Sequence, residues 1–299
     1  MTVLLAGCGD LGTEAALRFI AAGHRVVGWR RSPGKLPPSI EGVAADLTRG
    51  ELPLVPANTT AVVVAIAADS PSEEAYRAAY VDGLSHVLDA VAASGAPIRR
   101  ILFVSSTAVY GDADGGWVDE TTTPSPGGFS GRIIREAEEL LYRRLNDTGI
   151  SPVVLRLGGI YGPGRTRLID QVRGGNASLP AGSRLTNRIH RDDAAAAIVH
   201  LCTMAAEPAP LYLGVDTEPA ELGEVLRFLA GELGLPEPEP AAGVRAAGGT
   251  GGTGGGEPSR GGNKRVSSAL LRGTGFDFQY PSFREGYRSV LADVGQRHP

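Results

Sequence analysis

Cysteine is scarce in this chain, which has two, Cys8 and Cys202, among 299 residues. Two cysteines cannot build a disulfide scaffold, so the chain does not fit the class of small secreted, disulfide-rich domains. We therefore expect a reduced, cytoplasmic setting. Cys8 lies between two glycines, and we interpret it as a small filler rather than a nucleophile.

An excess of positive charge and a long apolar run are also missing. The 29 Lys and Arg residues are outnumbered by 33 Asp and Glu residues, which gives a formal net charge of −4. This balance does not favour a nucleic-acid surface or an anionic membrane partner. No apolar stretch reaches transmembrane length, and no signal peptide precedes the first predicted strand. The expected partner is a small-molecule substrate, with no nucleic acid and no membrane.

A glycine-rich loop follows the first predicted strand. The apolar run at 3–6 leads into residues 7–12, which read G-C-G-D-L-G and match G-x-G-x-x-G, and a helical pattern begins within them. Gly7 permits the tight turn, Gly9 lets a pyrophosphate approach the backbone, and Gly12 lets the helix lie close to the sheet. The unpaired N–H groups at the start of the helix attract phosphate. The predicted dinucleotide-binding residues of this loop are Gly7, Gly9, Asp10, Leu11 and Gly12.

Two arginines follow the second predicted strand, at 25–29. In nicotinamide-binding folds an acid at this place binds the ribose 2′-hydroxyl of NAD, whereas an arginine accommodates the 2′-phosphate of NADP. Arg30 and Arg31 stand here with no acid nearby, and paired arginines can clamp a phosphate. We predict NADP as the cofactor, with NAD as the alternative. If neither arginine binds a phosphate, both are solvated surface residues.

Strand and helix patterns alternate along the chain. Further strands are predicted at 42–47, 60–68, 101–104, 152–157 and 210–215, and further helices at 72–94, 132–146, 192–202, 219–233 and 282–294. This order predicts an α/β fold with a doubly wound parallel sheet, in which ligands bind beyond the carboxyl ends of the strands. Ser106 and Tyr110 follow the strand at 101–104, so we expect both near a nicotinamide ring.

Seven short motifs together resemble the short-chain dehydrogenase/reductase superfamily, in its extended, epimerase/dehydratase branch. They are G-C-G-D-L-G at 7–12, A-D-L at 45–47, S-S-T-A-V-Y-G at 105–111, D-E-T-T at 119–122, A-E-E-L-L at 137–141, L-R-L-G-G-I-Y-G-P-G at 155–164 and R-I-H-R-D-D at 188–193. They span nearly the whole chain in the family's order. The resemblance implies an NAD(P)-dependent epimerase/dehydratase-like oxidoreductase that acts on a small polar or sugar-like substrate.

The resemblance also implies a domain division. Residues 1–160 would form a Rossmann domain, with 186–215 returning to it, and residues 161–185 and 216–299 would form a smaller substrate lobe. The glycine-dominated stretch 241–262 is expected to be a mobile loop. Relatives commonly dimerise through the helices at 72–94 and 132–146, which implies a homodimer.

Further cofactor contacts follow from the same resemblance. They are Asp46 and Leu47 against the adenine, Ala67 and Ala68 along the cofactor, and Gly159 and Ile160 near the nicotinamide.

The proton-transfer pair of the family is missing. Relatives carry Tyr-x-x-x-Lys at the start of the helix that ends in A-E-x-L-L; the tyrosine is the acid/base, and the lysine lowers its pKa and holds the nicotinamide ribose. Counting back from Glu138 puts Ser130 at the tyrosine place and Ile134 at the lysine place, while a one-residue gap puts Phe129 at the tyrosine place. The glycine loop also departs from the G-x-x-G-x-x-G usual in this branch. Both departures resemble the atypical group of the superfamily, which keeps the cofactor fold and often lacks the pair.

Other residues are candidates for the chemistry. Ser106 stands at the family's catalytic serine, and Tyr110 is a candidate substitute acid. A tyrosine without a neighbouring cation has a pKa of roughly 10, which makes it a poor base but a usable proton donor. The alternative for Tyr110 is a structural hydroxyl bonded within the fold, and we interpret His190 as a structural residue at a strand end. Three arginines could meet an acidic substrate or form a solvated face: Arg165, Arg167 and Arg173.

Two classes of function fit these residues. The first is the oxidoreductase, with a non-redox isomerase or cyclase that reuses the Rossmann pocket as a variant. The second is an NADP(H)-binding regulator or redox sensor without catalysis, which needs the cofactor site but no proton-transfer residues. Function belongs to the site and not to the fold. The polar groups around a substrate-sized cavity therefore discriminate between the two classes.

Overall fold

Parallel strands form the centre of the molecule, which is described here by a computed structural model over residues 1–241 and 262–299. The strands are β1 (Thr2–Ala6), β2 (Arg25–Arg30), β3 (Glu41–Ala44), β4 (Thr59–Val64), β5 (Arg100–Ser106), β6 (Trp117–Val118), β7 (Ser151–Leu157), β8 (Gly159–Tyr161), β9 (Leu185–Thr186), β10 (Arg188–His190), β11 (Leu211–Gly214), β12 (Ala220–Glu221) and β13 (Arg265–Val266). Seven of them form one parallel sheet in the order β11-β7-β5-β4-β1-β2-β3. The predicted doubly wound α/β fold is confirmed, and β1 lies inside the sheet between β2 and β4.

The helices connect these strands and cover the sheet. They are α1 (Asp10–Ala21), α2 (Glu73–Tyr76), α3 (Gly83–Ser94), α4 (Phe129–Leu145), α5 (Arg167–Arg173), α6 (Arg191–Thr203), α7 (Leu222–Glu232), α8 (Ala269–Gly273) and α9 (Phe283–Leu291). The helix predicted at 72–94 is present, but Arg77–Asp82 between α2 and α3 is π-helical. π-Helical turns are rare in proteins overall, and those that occur are often found at functional sites.

Alternate residues of the central strands pack on opposite faces of the sheet. On β1, Val3 and Leu5 belong to one buried cluster, together with residues of α1 and α6. Leu4 and Ala6 belong to a second cluster, together with residues of α3 and α4. A parallel sheet covered by helices on both faces requires strands that are apolar on both sides, and the continuous apolar runs in the sequence reflect this requirement.

A third cluster forms the core of the smaller lobe. It joins Ile169 of α5, Leu226 of α7 and Phe283 of α9, which all lie within the ranges 161–185 and 216–299. Leu271 and Phe276 instead belong to the core of the main sheet. Leu271 lies in α8 and Phe276 follows it, so this part of the range 216–299 packs against the sheet, while the division into two domains stays a prediction. The loop predicted at 241–262 lies outside the described residues, apart from its two ends.

The two helices predicted to form a dimer interface lie side by side. Arg77 pairs with Glu136 at 2.8 Å, and Arg144 of α4 pairs with Asp89 of α3 at 2.6 Å. These exposed ion pairs link the π-helical turn and α3 to α4 within one chain. The homodimer stays a prediction, which the mass measured by light scattering at micromolar concentration would test.

Within the described part of the chain, every helix is too short or too polar to span a bilayer.

Candidate functional site

The glycine loop has the geometry that its sequence predicts. Gly7 has a φ of +88°, and a Cβ there would lie 2.5 Å from the carbonyl oxygen of Ala65 at the end of β4. A Cβ on Gly12 would lie 2.9 Å from the carbonyl oxygen of Gly7, so α1 approaches the loop closely. A Cβ on Gly9 would meet no atom of the described residues within 4 Å. Packing within the protein therefore explains why positions 7 and 12 require glycine. At Gly9 the same packing leaves room for a ligand.

A crevice of about 720 Å³ opens beside this loop, at the carboxyl ends of β1, β2 and β4. Eight of the predicted cofactor residues line it: Gly7, Gly9, Arg30, Arg31, Asp46, Leu47, Ala67 and Ala68. Ala78 and Ala79 of the π-helical turn line it as well. The structure thus brings together residues that are scattered over the first third of the chain, and the open space at Gly9 fits a dinucleotide phosphate.

Asp10 and Leu11 lie behind the crevice. Leu11 is buried in the sheet core. The carboxylate of Asp10 accepts hydrogen bonds from Arg165 Nε at 2.8 Å and from Arg191 Nη1 at 3.2 Å. Burial acts to raise the pKa of Asp10, but the hydrogen bond and charge of Arg165 outweigh it, so the pKa lies below its ordinary value. Asp10 therefore carries a negative charge that ties the start of α1 to the residues after β8 and to α6.

Cys8 has the environment of a small, buried packing residue. Its side chain is fully buried, and burial raises the pKa of the thiol to about 11. A thiol with this pKa is almost wholly protonated at neutral pH and is a poor nucleophile.

Both arginines predicted to bind a 2′-phosphate make contacts within the chain. Arg31 forms a two-point ion pair with Asp69, with Nη1–Oδ2 and Nη2–Oδ1 distances of 2.6 and 2.7 Å. Arg30 Nη1 donates to the carbonyl oxygen of Pro299 at 2.8 Å. Asp69 also lines the crevice. These two contacts were not predicted from the sequence.

A second pocket of about 550 Å³ opens at the carboxyl ends of β5 and β7. Ser106, Gly159 and Ile160, all predicted site residues, line it together with residues of the smaller lobe. Ser106 is half-buried, and its hydroxyl oxygen accepts a hydrogen bond from the backbone N–H of Ala108 at 3.1 Å. Because β4 and β5 are neighbours in the sheet, the two pockets lie along the same edge.

The second pocket is lined by positive side chains. Its charged residues are Arg165, Arg167, Arg184, Arg188 and Lys264. Arg167 and Arg184 are exposed and form no ion pair within residues 1–241 and 262–299. Two of the three arginines predicted to meet an acidic substrate, Arg165 and Arg167, are thus in the pocket, whereas Arg173 is exposed on α5 and does not line it.

Lys264 is a pocket residue that was not predicted. Its side chain is buried, and Nζ donates to the carbonyl oxygens of Tyr110 at 3.2 Å and Gly111 at 3.5 Å. Burial lowers the pKa of Lys264 to about 8, although the charge of Asp112 acts in the opposite direction. An ammonium group with this pKa can exchange a proton near neutral pH.

Tyr110 has the structural role that its sequence left open as the alternative. Its hydroxyl donates to the carbonyl oxygen of Asp119 at 2.8 Å and accepts from Arg156 Nη1 at 2.7 Å. Burial raises the pKa of Tyr110, although the charge and hydrogen bond of Arg156 act to lower it. Among the described residues, those that line the second pocket include Ser106 but not Tyr110. These two hydrogen bonds favour the structural alternative for Tyr110 over a role as a substitute acid.

A buried ion pair lies behind Tyr110. Arg156 binds both carboxylate oxygens of Glu138, with Nε–Oε1 and Nη2–Oε2 distances of 2.8 and 2.7 Å. The Ser105 hydroxyl donates to the same carboxylate at 2.6 Å. Arg156 is 2% exposed and Glu138 is 0% exposed. This network joins β5, β7 and α4.

The places of the missing catalytic pair lie at the start of α4. Ile134 is buried in an apolar cluster with Val109, Val118 and Val266. Ser130 is half-buried one turn earlier. A lysine at Ile134 would bring an ammonium group into this cluster at a desolvation cost. The packing of this chain is thus built around an apolar side chain at that place.

His190 stabilises the start of α6. Its Nδ1 accepts from the backbone N–H of Asp192 at 3.2 Å, and the side chain is fully buried. Burial lowers the pKa of His190 to about 4, so the ring is neutral at pH 7. This agrees with the interpretation of His190 as a structural residue.

The chain belongs to the NAD-dependent epimerase/dehydratase family, whose model matches residues 3–213. This family membership and the Rossmann-type sheet define the class of protein. Protein YeeZ of Escherichia coli K12 is 32% identical to it over 212 residues, which cover 67% of this chain and 72% of YeeZ.

Solved structures share the whole fold. A protein from Methylobacillus flagellatus classed with the NAD-dependent epimerase/dehydratases is 37% identical, with a TM-score of 0.76 over 98% of both chains. A functionally unknown conserved protein from Silicibacter pomeroyi is 27% identical, with a TM-score of 0.78 over 98% of this chain and 99% of its own. MoeE5, solved with UDP-glucuronic acid and NAD, is 21% identical and has a TM-score of 0.79 over 97% of both chains.

Proposed function

We propose that this protein is an NAD(P)-dependent oxidoreductase that acts on an anionic, sugar-like substrate. The observation that carries the proposal is the pair of pockets along one edge of the sheet. The first contains the phosphate-binding loop, and the second is polar, cationic and large enough for a small ligand. In open α/β sheets ligands bind at this edge.

The first crevice is proposed to bind a nicotinamide dinucleotide, which supplies hydride transfer when bound. Gly9 and the N-terminus of α1 would hold the pyrophosphate, while Asp46 and Leu47 would contact the adenosine. Arg30 and Arg31 provide the positive charge that a 2′-phosphate needs, which supports NADP as a cofactor. NAD is the alternative, because the solved structure of MoeE5 contains it.

Ser106 and Lys264 are the proposed polar groups at the reacting end of the second pocket. The Ser106 hydroxyl can donate a hydrogen bond to a substrate oxygen. The Lys264 ammonium can stabilise negative charge there or transfer a proton. These two groups would stand in for the tyrosine and lysine that the sequence lacks.

The cationic lining of the second pocket supports an anionic substrate. Arg167 and Arg184 are available for a phosphate or carboxylate, and planar guanidinium groups bind both groups well. MoeE5 was solved with UDP-glucuronic acid, and we propose a sugar nucleotide or a sugar acid as the substrate class here.

The main alternative is an NADP(H)-binding regulator without catalysis. A sealed, apolar space beside the cofactor crevice would favour it. The second pocket is instead open, and Ser106, Lys264 and the arginines line it. This arrangement favours an enzyme over a sensor, and a non-redox isomerase or cyclase using the same pockets is the variant within the enzyme class.

Arg167→Gln is expected to weaken binding of UDP-glucuronic acid to the protein saturated with NADH by about fivefold to tenfold, because one charge-assisted hydrogen bond is lost. Isothermal titration calorimetry at fixed ionic strength measures the dissociation constant of UDP-glucuronic acid. Arg173→Gln, on the same helix but outside the pocket, is the matched control and should change the affinity less than about twofold. Equal effects of the two variants, or no binding of UDP-glucuronic acid by the unmodified protein, would contradict a sugar nucleotide in this pocket.

A further inference from the structure

The Arg31–Asp69 ion pair crosses the mouth of the cofactor crevice. Arg31 follows β2 and Asp69 lies in the loop between β4 and α2, and β1 with its glycine loop lies between β2 and β4. The side chains are 60% and 63% exposed, so the pair lies at the outer rim. Both residues line the crevice, as does a second carboxylate, Asp46.

The other rim arginine is held from a distant part of the chain. Residues 295–299, called the 295–299 segment below, lie against the glycine loop and its surroundings. The backbone N–H of His298 donates to Asp10 at 3.2 Å, and His298 Nε2 lies 2.9 Å from Glu14 Oε2. Arg297 donates to the carbonyl oxygen of Gly164 at 3.2 Å. These contacts position Pro299, whose carbonyl oxygen accepts from Arg30.

Protein oxygens therefore accept hydrogen bonds from both guanidinium groups that would recognise a 2′-phosphate. Given the proposed function, on which this inference rests, we propose that Asp69 and the 295–299 segment set the choice between NADP and NAD by competing with the 2′-phosphate for Arg31 and Arg30. NADP must displace both oxygens, whereas NAD, which lacks the phosphate, leaves them in place. The two arginines alone would favour NADP strongly, and the two competitors reduce that preference.

The 2′-phosphate of NADP can overcome the competition from these protein oxygens. An exposed ion pair contributes little to stability because water and salt screen it. A 2′-phosphate carries a charge of about −1.5 to −2, which exceeds that of one carboxylate, and it accepts several hydrogen bonds. The negative charges of Asp69 and Asp46 also repel the phosphate. Asp69 thus lowers NADP affinity in two ways, by engaging Arg31 and by repulsion, without preventing binding.

Replacing Asp69 tests the proposal with known dinucleotides. Dissociation constants for NADPH and NADH are measured by fluorescence titration of the full chain at fixed ionic strength. Asp69→Asn should tighten NADPH binding by about fivefold to tenfold and change NADH binding less than about twofold. Asp89→Asn removes an equally exposed carboxylate, 61% exposed and paired with Arg144 at 2.6 Å, and should change neither constant.

Removing residues 295–299 tests the second competitor. The deletion also removes contacts to Asp10 and Glu14, so affinity for both dinucleotides can change, and the ratio of the two dissociation constants is the readout. We expect the ratio to shift toward NADPH by about threefold or more. An unchanged ratio in both variants overturns the proposal while leaving the proposed oxidoreductase function intact. Absence of any dinucleotide binding in the unmodified chain and in both variants overturns the proposed function and this inference with it.

Discussion

Gly9→Val is expected to abolish dinucleotide binding while the protein stays folded. A Cβ at this position would meet no atom of residues 1–241 and 262–299 within 4 Å, so the valine is expected to extend into the space where the pyrophosphate would lie. Loss of two charge-assisted hydrogen bonds to phosphate corresponds to weakening by about a hundredfold or more. Fluorescence titration with NADH and NADPH measures the affinity, and thermal unfolding measures the stability.

Two other glycines provide the comparison. Gly231→Val lies in α7, where the new Cβ would likewise meet no atom within 4 Å in the part of the chain that the structure describes. It should leave both affinity and melting temperature nearly unchanged. Gly7→Ala should lower the melting temperature, because it forces a positive φ on alanine and a close contact with the carbonyl oxygen of Ala65. If Gly9→Val bound both dinucleotides as tightly as the unmodified protein, the assignment of the loop as a phosphate site would be wrong.

Glu138→Ala is expected to lower the free energy of unfolding by about 3–5 kcal/mol, because it leaves the Arg156 guanidinium buried without its counter-charge. The Ser105 hydroxyl loses its acceptor as well. Urea denaturation followed by circular dichroism measures the change. Glu138→Gln keeps the shape and serves as a second variant if the alanine protein does not accumulate, and we expect it also to be destabilised.

The adjacent residue is the control for this prediction. Glu139 forms an ion pair with Arg135 at 3.0 Å, but the Glu139 side chain is 49% exposed. Glu139→Ala should change the free energy of unfolding by less than about 0.5 kcal/mol. Comparable losses for Glu138→Ala and Glu139→Ala would show that the buried network contributes nothing beyond an exposed helix pair.

The glycine loop could be predicted from the sequence because its geometry is local. The positive φ at Gly7, the close approach of Gly12 to Gly7 and the start of α1 depend on residues within one short stretch, whereas the contact of Gly7 with Ala65 does not. The strands could be predicted for a related reason, since continuous apolar runs such as 60–64 indicate burial on both faces. The π-helical turn at Arg77–Asp82 could not, because its residues show the same periodicity as an ordinary helix.

The charged contacts of the site depend on tertiary structure. Asp69 meets Arg31 only because β2 and β4 flank β1, and Lys264 meets the Tyr110 carbonyl across a separation of 154 residues. The sequence indicated both arginines of the first crevice but only Arg165 and Arg167 of the four that line the second pocket, and it showed none of their partners. Tyr110 is the opposite case. Its position four residues after Ser106 suggested a catalytic role, and the hydrogen bond from Arg156 to its hydroxyl becomes visible only in the structure.

The location of the second pocket bears on how this protein could evolve. Most of its lining comes from residues 165–188 and from α7, which pack around the lobe's own cluster rather than the sheet core. If the proposed function holds, substitutions there would alter substrate selection without disturbing the strands around the proposed cofactor crevice. Relatives with the same sheet could then diverge to new substrates through changes confined to the lobe.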